Sequence, residues 1–103
     1  MTFNRRLALG LGLAASLLGT SAMAQDPMRI ALVAKSLGNG FFEAAARGAE
    51  EAAAELGNTE IIYTGPTSTT AEGQIEVINS LIAQRVDAIA ISANDPDAVV
   101  PAL

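Results

Sequence analysis

The chain has 103 residues, with 11 acidic and 6 basic side chains, a net charge of −5 and no Cys or His. Within this chain those absences exclude disulfides, cysteine-ligated zinc, and both Ser-His-Asp and Cys-His catalysis. The acidic balance disfavours nucleic acid and anionic lipid as partners.

The first quarter reads as an export signal. Arg5 and Arg6 precede an uncharged apolar run, Leu7 to Leu18, and Ala22-Met23-Ala24 follows as a small-x-small cleavage pattern. That order is the layout of a secretory signal peptide, with the cut before Gln25. The run is too short for a membrane anchor, which needs roughly 20 apolar residues. No Cys stands at the cut to accept a lipid. Cleavage takes the net charge from −5 to −7 and leaves 79 residues.

From there strands and helices alternate. Met28 to Ala34 (MRIALVA) is a short apolar run with β-branched residues and reads as a buried strand. Lys35 to Gly40 (KSLGNG) is rich in turn formers. Phe41 to Leu56 reads as a helix, with Phe42, Ala45, Ala46, Ala49, Ala53 and Leu56 as its apolar stripe. Glu43 and Arg47 lie four apart on the opposite side, as an exposed helical pair would. Gly57 is placed to stop this helix. Thr59 to Thr64 is a second strand and Gly65 to Thr70 a loop. Thr69 with Glu72 fits a capping box opening a second helix, with Ile75, Ile78, Leu81 and Ile82 as its stripe. Asp87 to Ala93 (DAIAISA) is a third strand. Asn94 to Asp97 is a turn, with Asp95 or Asp97 able to cap a third helix.

This βαβαβ order predicts an α/β fold with a parallel sheet, right-handed crossovers and flanking helices. Strands buried on both faces need helices on both faces, which two crossover helices supply poorly. A core of this size is marginal. The expectation is therefore an incomplete domain.

In an open parallel sheet, ligands bind at the carboxyl ends of the strands. The three loops leaving those ends carry Lys35, Asn39, Asn94 and Asp95, with Phe41 and Phe42 following the first. Hydroxyls need both donors and acceptors, which Asn, Asp and Lys provide together. Aromatic faces cover the apolar side of a sugar ring. Each residue also has a plainer reading. Lys35 fits an ordinary solvated lysine, Asn39 a turn residue or cap, and Asn94 and Asp95 the same; the threonines at 67, 69 and 70 fit turn and cap. Phe42 fits the helix stripe, which leaves Phe41 as the exposed ring. Gly38-Asn39-Gly40 stands where a dinucleotide-binding turn would. The pattern fails at its third glycine, where Glu43 stands, and no acidic residue ends the second strand. No phosphate loop is present.

The stretches IALVAKSLGNGFFEAAARGAEEAAAELG and YTGPTSTTAEGQIEVINSLIAQRVDAIAISANDPDAVVPAL resemble the type I periplasmic sugar-binding proteins of ABC importers. The likeness is strongest to the rhamnose-binding and autoinducer-2-binding subgroup. Its most specific pieces are the lysine-ended first strand with GNGFF, the TGPT loop with Gln74, and VDAIAISANDPDA. The resemblance implies the type I periplasmic-binding-protein fold, with residues 1–24 as signal peptide and 25–103 as the N-terminal, incomplete part of the first of two lobes. It implies capture of a sugar-like ligand in the periplasm, without catalysis, metal or cofactor, and delivery to a membrane permease. It assigns a ligand contact to Lys35, places Phe41 and Phe42 in the lining of the sugar site, and puts Asn94 in a loop bordering the cleft. Neither nucleic acid nor direct membrane insertion after signal cleavage is expected.

Three other readings compete. A sugar-sensing transcriptional regulator would carry a DNA-binding segment where the signal peptide stands. An autoinducer-2 or chemotaxis receptor would use the same binding domain, and the sequence does not separate it from transport. An exported α/β enzyme lacks His, Cys and a nucleophile elbow in this chain.

Overall fold

The computed structural model describes residues 25–103, so the expected signal peptide lies outside the described residues. The chain runs through β1 (Met28–Val33), α1 (Gly40–Leu56), β2 (Thr59–Thr64), α2 (Ala71–Ala83), β3 (Ala88–Ile91), α3 (Pro96–Val99) and a 3-10 turn, Val100–Ala102. The strands form one parallel sheet in the order β2-β1-β3, with Ile30 opposite Ile61 on one side and Ala88 on the other.

β1 is therefore central, and the two crossovers move across the sheet in opposite directions. With right-handed crossovers, that reversal puts α1 on one face and α2 on the other. The strand alternation agrees. Ala31 and Val33 point to the α2 side, where they are buried with Leu81 and packed by Ile62, Val77, Val86, Ile89 and Ile91. Ile30, Leu32, Ile61 and Tyr63 alternate to the opposite face. There α1 lies mainly over β2, and Ala88 and Ala90 of β3 are exposed.

The α1 stripe is narrower than the sequence reading. Ala46 and Ala53 are buried and Phe42 and Ala49 half-buried, but Ala45 is exposed and Leu56 is 76% exposed. Positions 42, 46, 49 and 53 follow one helical line, from which Ala45 is displaced. Leu56 sits in the last turn beside exposed Met28. Glu43 and Arg47 are both exposed; among the described residues the ion pair that forms is Arg29 with Glu60, at 3.8 Å. Gly57 ends α1 with φ of 71°, its N–H donating to the Ala53 carbonyl at 3.0 Å.

Helix α2 starts one residue later than the capping box implies. Its cap is Thr70, whose Oγ1 accepts from Gly73 N at 3.1 Å, so Glu72 occupies the second helical position and no reciprocal box forms. Ile78 and Leu81 are buried, whereas Ile82 is 52% exposed. β3 is shorter than the expected 87–93. At its start the Asp87 carboxylate accepts from Arg29 N at 2.8 Å, and Asp87 N donates to the Arg29 carbonyl at 2.8 Å. At its end the chain is diverted after Ser92.

Candidate functional site

The carboxyl ends of the strands lead into loops 34–39, 65–70 and 92–95 on one side of the sheet. β1 leaves toward α1 and β3 toward α3, which packs beside α2. Neighbouring strands that depart toward opposite faces open a crevice between them, the usual place for a ligand in such sheets.

The last ladder rung between these strands is Ser92 N donating to the Val33 carbonyl, at 3.0 Å. Beyond it a side chain continues the pairing. Gln74 of α2 is fully buried, the one buried polar residue among those described. Its Nε2 donates to the Ala34 carbonyl at 3.0 Å and the Ser92 carbonyl at 2.8 Å, while Oε1 accepts from Asn94 N at 2.8 Å. Asn94 extends the tie, its Nδ2 donating to the carbonyls of Lys35 (2.9 Å) and Thr70 (3.3 Å). Leu37 N donates to the Pro66 carbonyl at 2.8 Å, joining the first two loops. Sequence reading singled out Gln74 only as part of a family-like stretch and gave it no role. The signal for one was present: position 74 falls in line with Ile78 and Leu81, a polar residue in an apolar stripe.

The expected site residues divide into two groups. Lys35 and Asn94 are joined directly. Lys35 is exposed, with its carbonyl fixed by Asn94, and Asn94 has committed both amide protons, leaving Oδ1 as acceptor. Asn39, Phe41 and Phe42 stand at the start of α1. Asn39 is its cap, with Oδ1 accepting from Phe41 N at 3.0 Å and its amide protons left to donate. Phe41 is 74% exposed and Phe42 half-buried, their rings meeting edge to face at 5.2 Å. Asp95 is bound to its own helix: Oδ1 accepts from Asp97 N and Ala98 N at 3.1 and 3.2 Å. The crevice side thus offers an ammonium, an amide donor, an amide acceptor and an open aromatic ring.

A broad surface depression lies elsewhere, at the amino ends of the strands, lined by Met28, Arg29, Leu56 and Arg85 among others. It holds none of these groups. Among the described residues no three Cys, His, Asp or Glu side chains come together as metal ligands would, and no helix is long and apolar enough to cross a membrane.

A family model described as a periplasmic binding protein domain matches residues 30–103. The chain belongs to the periplasmic binding protein family. Its βαβαβ unit is part of the type I fold of that family, as the resemblance implied. Among solved structures it is similar to LsrB from Clostridium saccharobutylicum in complex with AI-2, at 32% identity and a TM-score of 0.69, over 72% of this chain and 22% of that one. It is also similar to an ABC transporter solute-binding protein from Clostridium phytofermentas with bound L-rhamnose, at 38% identity and 0.68, over 77% and 24%. A third is the periplasmic solute-binding protein from Actinobacillus succinogenes with bound D-allose, at 33% and 0.66, over 75% and 27%. This periplasmic-binding chain therefore spans about a quarter of the length of the structures it matches. The family and these neighbours are solute binders rather than enzymes.

Proposed function

We propose that residues 25–103 form the first part of one lobe of a solute-binding protein that captures a sugar-like ligand in the periplasm and passes it to the permease of an ABC importer. The observation that carries this reading is the Lys35 main-chain carbonyl held by the Asn94 side chain at the carboxyl ends of β1 and β3, the place where such sheets bind ligands. The chemistry there suits vicinal hydroxyls. Lys35 and the Asn39 amide donate, Asn94 Oδ1 accepts, and Phe41 presents a face for ring CH groups. The likeness to structures holding L-rhamnose and D-allose supports a sugar, and the likeness to LsrB favours AI-2 as the second candidate.

Calorimetric titration of the complete protein with L-rhamnose, D-allose and AI-2 tests this. Lys35→Ala removes a charged donor and is expected to cost roughly 1.5–3 kcal/mol, about ten- to a hundredfold in affinity. Phe41→Ala is expected to weaken binding while leaving the melting temperature unchanged, whereas Phe42→Ala lowers the melting temperature. If neither Lys35→Ala nor Phe41→Ala changes affinity, the crevice assignment is wrong. A parent protein that binds none of the three contradicts the ligand class.

Residence in the periplasm requires export, for which Arg5, Arg6, the run from Leu7 to Leu18 and Ala22-Met23-Ala24 are the motivation. N-terminal sequencing of the periplasmic form is expected to begin at Gln25. Intact Met1 in that fraction contradicts cleavage.

A further inference from the structure

We propose that Gln74 is a positioning residue for the crevice: its side-chain amide acts as an added rung between β1 and β3 that holds the loops bearing Lys35 and Asn94 as one rigid unit. The inference rests on the sugar-binding reading for its consequence, though not for its geometry. A fully buried Gln is unusual, and its neighbours in the stripe, Ile78 and Leu81, are apolar. Helix packing alone would accept an apolar side chain of the same shape. What an apolar side chain lacks is the pairing. Ala34 is fully buried, so its carbonyl has no water to turn to where the strands part. Gln74 supplies two donors and one acceptor, and all three meet main-chain groups of the separating strands.

Because the partners are backbone atoms, the tie is indifferent to the side chains the loops display. Asn94, held at its own N–H by Gln74, carries the connection to the carbonyls of Lys35 and Thr70. A half-site fixed in this way has less conformational freedom to lose on binding, which raises affinity without adding a contact to the ligand. Lys35 and Asn94 touch the ligand in this scheme; Gln74 does not.

The experiment is residue-resolved hydrogen exchange on the complete protein without ligand, followed by titration with L-rhamnose and D-allose. In the parent, Asn94 N–H is expected to exchange as slowly as Ser92 N–H, although it lies outside any strand. In Gln74→Met, Asn94 and Leu37 amides are expected to exchange at least about tenfold faster, the scale set by one lost hydrogen bond. Ala31 and Leu32 amides keep their rates, and sugar affinity falls by about the same factor below the melting transition. Free exchange of Asn94 in the parent overturns the proposal. So does equal acceleration of Ala31, Leu32, Asn94 and Leu37 in the variant, which is the mark of a purely structural core residue, and so does a variant with parental exchange rates.

Gln74→Leu serves if Gln74→Met does not fold. It likewise lacks both donors and the acceptor, so the Leu37 and Asn94 amides are both released; parental rates at either then overturn the proposal. A parent that binds neither sugar counts against the proposed ligand class and leaves the exchange result to decide the rung. A parent that binds while Gln74→Met binds equally well refutes positioning alone.

Discussion

Leu81→Ala is expected to lower the unfolding free energy by about 2–5 kcal/mol, the range for emptying a buried leucine site. Leu81 is 2% exposed and is the α2 side chain that closes on Ala31 and Val33 of the central strand. Its cavity would be bounded by Ile62, Val77, Val86, Ile89 and Ile91, drawn from β2, α2, β3 and the turn between the last two. Collapse into it is hindered because the helix is tied to the strand ends through Gln74. Ile82, the next residue, is 52% exposed, so Ile82→Ala is the control, expected within about 0.5 kcal/mol of the parent. Urea unfolding of both variants checks the contrast. Equal midpoints for the two would mean that the core does not sit on this face.

Gly73→Val is expected to cost about 3 kcal/mol or more, adding the penalty of over-packing to the loss of a helix cap. A Cβ at position 73 would stand 2.8 Å from Pro66 Cβ and 2.9 Å from Thr70 Oγ1. Neither neighbour can yield cheaply. Pro66 is a buried ring whose carbonyl holds Leu37, and Thr70 Oγ1 is the acceptor that caps α2. The backbone of Gly73 needs no special φ, so the requirement is space alone. Gly73→Ala meets the same contact with less bulk and recovers about 1 kcal/mol of helix propensity, so it should fall between parent and valine. Melting temperatures in the order parent, alanine, valine check this. An alanine variant more stable than the parent would show that the loop at Pro66 gives way.

The alternation of strands and helices was legible because each element has a clean period. MRIALVA and DAIAISA are mostly apolar runs too short for helices, and positions 42, 46, 49 and 53 of the α1 stripe trace one helical line. The separation of the two phenylalanines, one outward and one inward, followed from the same line. Element ends were less legible because side chains decide them. Thr69 and Thr70 are chemically alike, and only the observed hydrogen bond to Gly73 selects the second as cap. β3 is trimmed at its start by the Asp87 carboxylate and at its end by Gln74, both acting across more than ten positions of sequence. The site was legible as loops and residue types. Which hydrogen-bonding atoms remain free was not, since the Asn39 acceptor and both Asn94 protons are committed within the protein. Asp95, expected among the ligand contacts on residue type, uses a carboxylate oxygen to hold α3.

The central place of β1 also orders events as the chain emerges, amino end first, into the compartment where it folds. The strand made first is the one that needs both neighbours, with Ile61 about 30 positions downstream and Ala88 nearly twice as far. Doubling a closing loop adds only about 0.6 kcal/mol, so entropy hardly discriminates between the two pairings, and order of emergence does. β2 is available first. Until β3 follows, one edge of β1 stays open while the intervening residues emerge. An open, apolar edge is a template for pairing with another unfolded chain. The vulnerable interval in the life of this polypeptide is therefore the delay between its second and third strands, and anything that slows emergence of the chain there would lengthen it.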